Sequence, residues 1–125
     1  MTTNNESTGA FPRVRALTLA IWAAWPVLAS ANPVGPEVIS GQASFHQAGN
    51  TLTVTNSPGA ILHWESFSIA EGELTRFVQQ SAASSVLNRI VGQDPSLILG
   101  SLQSNGQVFL INPNGIVFGP NAQVD

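Results

Sequence analysis

Few side chains in this 125-residue chain have the chemistry of acids, bases, thiols or metal ligands. His46 and His63 stand seventeen positions apart. With no Cys and no His-x-x-x-His spacing, they supply no framework for a metal ion. Glu71 and Glu73 are close enough to suggest the carboxylate pair of glycoside chemistry. They flank Gly72, however, in a stretch that reads as a turn, where a solvated charge pair is the more frequent explanation. There is no Gly-x-Ser-x-Gly element and no phosphate-cradling glycine loop. Lys is absent, and the four arginines, Arg13, Arg15, Arg76 and Arg89, form no basic patch for nucleic acid or anionic lipid. No catalytic residue, cofactor, metal or nucleic-acid partner is expected. The residues that stand out are turn formers: Asn105-Gly106, and the tetrapeptide Asn112-Pro113-Asn114-Gly115.

The elements around those turns are strands. Charged residues make up 9% of the chain, against about 25% in an average soluble domain. The polar share falls to Ser, Thr, Asn and Gln, which suits stacked strands and turns better than charged helices. Residues 51–55, Thr-Leu-Thr-Val-Thr, alternate polar and apolar, which places Leu52 and Val54 inward on a half-buried strand. Asn56-Ser57-Pro58-Gly59 follows as a turn. Further strands are expected near residues 38–41, 43–47, 60–64, 74–79 and 86–91, and around Phe67 and Ile69. Trp64 and Phe67 offer the largest apolar areas to a core. Residues 94–100 are the one helix-like spot: Asp94 as cap, Pro95 at the first helical position, Gly100 as terminator.

Residues 105–125 show the organisation most clearly. Gln107-Val108-Phe109-Leu110-Ile111 is apolar and β-branched, Asn112-Pro113-Asn114-Gly115 breaks it, and Ile116-Val117-Phe118 resumes before Gly119-Pro120-Asn121. The tetrapeptide fits a type I turn position by position, and it also fits a hairpin loop with Gly115 left-handed. A three-residue run makes a poor hairpin arm, since strands average about 5–6 residues, and suits one face of a coil of parallel strands. Val108, Leu110, Ile116 and Phe118 join Leu52, Val54, Trp64, Phe67 and Ile69 as the expected core. Neither apolar run alternates with polar residues, so both of its faces are expected to be covered.

The string Gln107 to Gly119, QVFLINPNGIVFG, resembles the signature of the two-partner-secretion (TPS) domain, the haemagglutination activity domain at the N-terminus of filamentous-haemagglutinin-type exoproteins. The likeness extends to residues 64–69, 85–92 and 96–102. It implies an all-β fold, a right-handed parallel β-helix with an N-terminal cap of antiparallel strands. It also implies that Asn112, Pro113, Asn114 and Gly115 form a secretion-related motif. The family's upstream motif of the Asn-Pro-Asn-Leu kind is replaced here by Leu87-Asn88-Arg89-Ile90, which points to the adhesin-like branch.

Residues 1–31 read as a secretory signal: Arg13 and Arg15, an apolar run over 16–28, then Ala29-Ser30-Ala31, with cleavage between Ala31 and Asn32. Thirteen apolar residues are too few for a membrane span, which needs about 20. Residues 32–125 then carry a net charge of −4. Export by the Sec machinery through the periplasm of a Gram-negative bacterium follows from this reading. The resemblance implies a partner, an outer-membrane barrel bearing POTRA domains, and a secreted or cell-surface destination. It also implies a longer domain, so the solenoid is expected to be incomplete at its C-terminal end and to lack its passenger. The rival readings are a polysaccharide-active β-helix enzyme and a standalone exported binding module.

Overall fold

Alternation along the chain translates into strands whose alternate side chains face one interior. A computed structural model describes residues 32–125, and the expected signal sequence over 1–31 lies outside them. The strands are β1 (Glu37–Ser40), β2 (Ala43–Ala48), β3 (Thr51–Asn56), β4 (Ala60–Trp64), β5 (Leu74–Val78), β6 (Ser85–Ile90), β7 (Ser96–Ile98), β8 (Ser101–Ser104), β9 (Gln107–Ile111), β10 (Ile116–Phe118) and β11 (Gln123–Val124). No helix occurs among the described residues.

The strands form three sheets, ordered β9-β6-β4-β1, β10-β7 and β11-β8-β5-β3-β2. All pairings are parallel except those of β1 with β4 and β2 with β3. Thr51 lies opposite Leu74, Leu74 opposite Ser101, and Ser101 opposite Gln123. The chain therefore circles through three faces and returns to the first one layer further on, for about three turns. This is a parallel β-helix, closed at its N-terminal end by the antiparallel strands β1 and β2. A hairpin at residues 112–115 is excluded, because β9 pairs with β6 and β10 with β7.

Inward side chains stack in columns from coil to coil. Ala60, Val86 and Val108 form one, Ile69, Ile98 and Phe118 another. Leu52, Val54, Trp64, Phe67 and Ile69 are buried, with Leu62, Phe77, Val86 and Ile98 around them. An aromatic chain runs through this core. Trp64 meets Phe45 and Phe67 edge to face, at ring-centre distances of 5.6 and 5.5 Å, and Phe67 stacks on Phe77 at 6.3 Å.

Four expectations are corrected. Phe118 is 57% exposed, whereas Val108, Leu110 and Ile116 are half-buried and pack against the core as expected. They belong to a layer that, among the described residues, has a strand neighbour on one side alone. The outer faces of β9 and β10 are also uncovered among the described residues, with Phe109 and Val117 more than half exposed. The helix-like spot at 94–100 is a strand, β7, because Ser96 and Ile98 point inward and its backbone finds β10 as a partner. Around residue 69, the expected strand is reduced to a single bridge from Ile69 to Ile98.

Coils approach so closely at some corners that only glycine fits. A Cβ on Gly100 would run into the carbonyl oxygens of Ala70 and Glu73 in the coil before. That of Glu73 accepts from the Ser101 amide at 2.9 Å, so it cannot retreat without breaking the ladder. Gly100→Ala is expected to lower stability by about 2–3 kcal/mol, an overpacking cost set against backbone. Gly49→Ala meets no atom within 4 Å and strains only a positive φ of 58°, so it should cost about 1 kcal/mol. Equal urea midpoints for the two variants would contradict this packing argument.

Candidate functional site

The tetrapeptide Asn112-Pro113-Asn114-Gly115 is the corner between β9 and β10. Pro113 presets the φ of the second turn position, and the Gly115 amide closes the turn on the Asn112 carbonyl at 3.0 Å. Gly115 has a φ of 106°, a conformation that glycine adopts without strain. The Asn112 side chain then braces the turn from inside, its Oδ1 accepting from the Asn114 amide at 2.9 Å and from Asn114 Nδ2 at 3.2 Å.

The same side chains also reach backward to the coil before. Asn112 Nδ2 donates to the Asp94 carbonyl at 3.0 Å and to Ser96 Oγ at 2.9 Å. Asn114 Nδ2 donates to the Gly92 carbonyl at 3.0 Å. The Ser96 amide returns a bond to the Gly115 carbonyl at 2.9 Å. The corner of the third coil is thus stapled to the segment from Gly92 to Ser96 in the second. These bonds run from Asn side chains to backbone and to a hydroxyl, whereas stacked Asn side chains bonding one another across coils would need an Asn at the equivalent corner of the second coil. Asn112 is half-buried, and Pro113, Asn114 and Gly115 lie on the surface.

A second polar corner lies between the first and second faces. Asn56 Nδ2 donates to Gln79 Oε1, and Gln79 Nε2 donates to Ser104 Oγ and to the Gln107 carbonyl. Asn105 completes it: its Oδ1 accepts from the Gln79 amide and its Nδ2 donates to the Gln79 carbonyl, both at 2.7 Å. An Asn side chain here imitates a strand partner. Asn32, at the expected cleavage point, is buried and bonds to Thr75 Oγ1 and to the Asn50 carbonyl. The buried Asn56, Thr75, Gln79 and Asn88 were not singled out from sequence, although the inward phase of Val86-Asn88-Ile90 marks Asn88 as interior.

The acid and imidazole groups are not brought together. His46 is exposed on β2 and His63 half-buried on β4. Glu73 Oε1 accepts from the Ala70 amide within its own turn, and Glu71 Oε2 accepts from Asn121 in the last coil. Among the described residues no group of three His, Cys, Asp or Glu could hold a metal ion. The arrangement holds coils together through neutral amides.

A short parallel β-helix, capped by antiparallel strands and braced at its corners by Asn and Gln, is the class this geometry defines. Residues 29–125 match the TPS secretion domain, and the chain belongs to that family. The crystal structure of the HMW1 secretion domain from Haemophilus influenzae is similar, with a TM-score of 0.69 and 42% identity, over 70% of this chain and 24% of that one. A heme/hemopexin-binding protein of Haemophilus influenzae Rd is 35% identical over 94 residues, 74% of this chain and 10% of its own length. A second heme/hemopexin-binding protein from Haemophilus influenzae is 35% identical over 69 residues, 55% of this chain and 7% of its own. The chain spans about a tenth of the length of the curated relatives it matches.

Proposed function

We propose that residues 32–125 are the export address of a two-partner-secretion exoprotein. Residues 1–31 are its Sec signal peptide, removed between Ala31 and Asn32. The address is bound in the periplasm, as extended chain, by the POTRA domains of a cognate outer-membrane barrel, threaded through it, and folded at the cell surface. An adhesin-like or haemagglutinin-like activity belongs to passenger sequence following the address. The observation that carries this reading is the family match over residues 29–125 on a β-helix whose Asn-Pro-Asn-Gly corner joins two coils.

The physical chemistry is consistent with it. No ATP is available outside the inner membrane, so folding beyond the pore is a source of direction. A solenoid supplies that free energy in increments, since each coil contacts only its neighbours. The absence of Cys leaves no disulfide to close a loop and block threading. An extended segment can be held by strand addition to a sheet edge of the partner.

The test is release of a tagged 1–125 chain from cells with and without the barrel. Extracellular chain is expected only with the barrel. Equal release without it, or binding of the POTRA domains only to an already folded 32–125, would overturn the proposal.

A further inference from the structure

We infer that Asn88 is a folding checkpoint, a core amide that makes the first two coils depend on the third. Its purpose rests on the export reading above; its geometry does not. Asn88 is fully buried on the inward face of β6, between Val86 and Ile90. Leu62 of the first coil and Leu110 of the third are its in-register neighbours. An aliphatic side chain would complete that column, and an amide stands there instead.

The two ends of the amide face different coils. Its Oδ1 accepts from Trp64 Nε1 at 2.8 Å, on β4 of the first coil. Its Nδ2 donates to the Phe109 carbonyl at 3.2 Å, on β9 of the third. One side chain of the second coil therefore links polar groups of both its neighbours. Coils one and two alone satisfy only the acceptor end. The donor end then faces the open layer, where it needs water, and Leu62 lacks the apolar contact a leucine at 88 would give it. Only a strand laid over that layer supplies the missing carbonyl and excludes the water.

The consequence is kinetic. The segment up to Gly106 gains little from closing its first two coils early, so the solenoid's first increment of stability comes when residues 107–111 join, and coil-by-coil growth starts from there. For a chain that must pass a pore extended, delay of this kind keeps the leading part threadable. The device differs from the Asn112 and Asn114 staple, which joins the third coil to the second alone; buried Gln79, which accepts from Asn56 and donates to Ser104 and Gln107, spans the same three coils at a corner rather than in the apolar column.

Removing both partners of the Trp64–Asn88 bond tests this. The variant Trp64→Phe/Asn88→Leu has an all-apolar column and no orphaned indole N–H. Refolding of the chain from urea, followed by far-UV circular dichroism, is expected to be about five- to tenfold faster than in the parent. Export through the cognate barrel is expected to fall several-fold. An unchanged or slower refolding rate overturns the checkpoint. If the parent itself is not exported through the barrel, the export reading fails while the refolding comparison still decides on Asn88.

A second variant covers the case in which the first does not fold. In Asn88→Asp, the protonated carboxyl can accept from Trp64 and donate to the Phe109 carbonyl; the carboxylate cannot donate. Burial raises the folded-state pKa of such a group, so its stability is greatest below the unfolded value and is lost as pH rises through the folded one. A midpoint near the parent's in acid that drops at neutral pH supports the two-ended bond. A pH response identical to the parent's overturns it.

Discussion

Trp64→Ala is expected to lower the unfolding free energy by about 4–5 kcal/mol, the upper part of the range for truncating a large aromatic residue in a core. Trp64 is fully buried, and its ring sits between Phe45 and Phe67 in two edge-to-face contacts. Each such pair adds about 0.5–1.5 kcal/mol beyond area burial. Phe45 belongs to β2 of the cap and Phe67 to the stretch leading to the third face, so the ring joins the cap to the first coil. The substitution also removes the donor to Asn88 Oδ1. Domains are stable by about 5–15 kcal/mol in all, so a loss of this size leaves little margin. Trp64→Phe separates the terms: it keeps most of the packing, loses the bond, and should cost about 1–3 kcal/mol. Equilibrium urea unfolding of the two variants checks the difference. A midpoint for Trp64→Ala close to the parent's would mean that the aromatic chain does not anchor the cap.

What was legible in the sequence was what depends on neighbours a few positions away. The alternation Thr51 to Thr55 shows which residues of β3 face inward, because the strand period is two whatever the tertiary setting. The brevity of Ile116-Val117-Phe118 favoured a coil over a hairpin, and the pairing of β10 with β7 agrees. The error at residues 94–100 has the opposite character. Asp94, Pro95 and Gly100 carry genuine local helix signals, but a helical turn there would leave β10 without a partner, and the ladder wins. Phe118 reads as core because it shares its column with Ile69 and Ile98. Its exposure follows from its layer, and position in a stack is not written in the residue.

Contacts between coils were the least legible. Asn112 meets Asp94 from 18 residues away and Asn114 meets Gly92 from 22. Coil length decides such partners, and it depends on loops whose size varies from turn to turn. Asn is a good turn former on its own account, so its presence at 112 and 114 is explained locally before any distant partner is sought. The bond that makes the corner more than a turn was therefore hidden behind a sufficient simpler reason.

That distinction is open to experiment, and the expected result is that the staple matters more than the turn. Asn112→Asp keeps an oxygen to accept from the Asn114 amide, so the turn is retained. It loses both donations, to the Asp94 carbonyl and to Ser96 Oγ, and sets a negative charge against a carbonyl oxygen. Two net hydrogen bonds at about 0.5–1.5 kcal/mol each, one of them partly buried, give an expected loss of about 2 kcal/mol. Adding Asn114→Ala removes the contact to Gly92 and brings the loss to about 3 kcal/mol. Gly115→Ala acts on the turn alone: a Cβ there meets no atom within 4 Å, and its cost is the strain of the positive φ, about 1–2 kcal/mol. If the corner serves export by locking the third coil onto the second, the order in urea stability should reappear in export through the barrel. The double variant should then be exported least and Gly115→Ala close to the parent. If Gly115→Ala instead abolishes export while Asn112→Asp leaves it intact, the partner reads the shape of the bend in the extended chain, and the staple serves stability alone. A segment recognised before folding has no second coil to be stapled to, so the two outcomes separate recognition from folding at the same four residues.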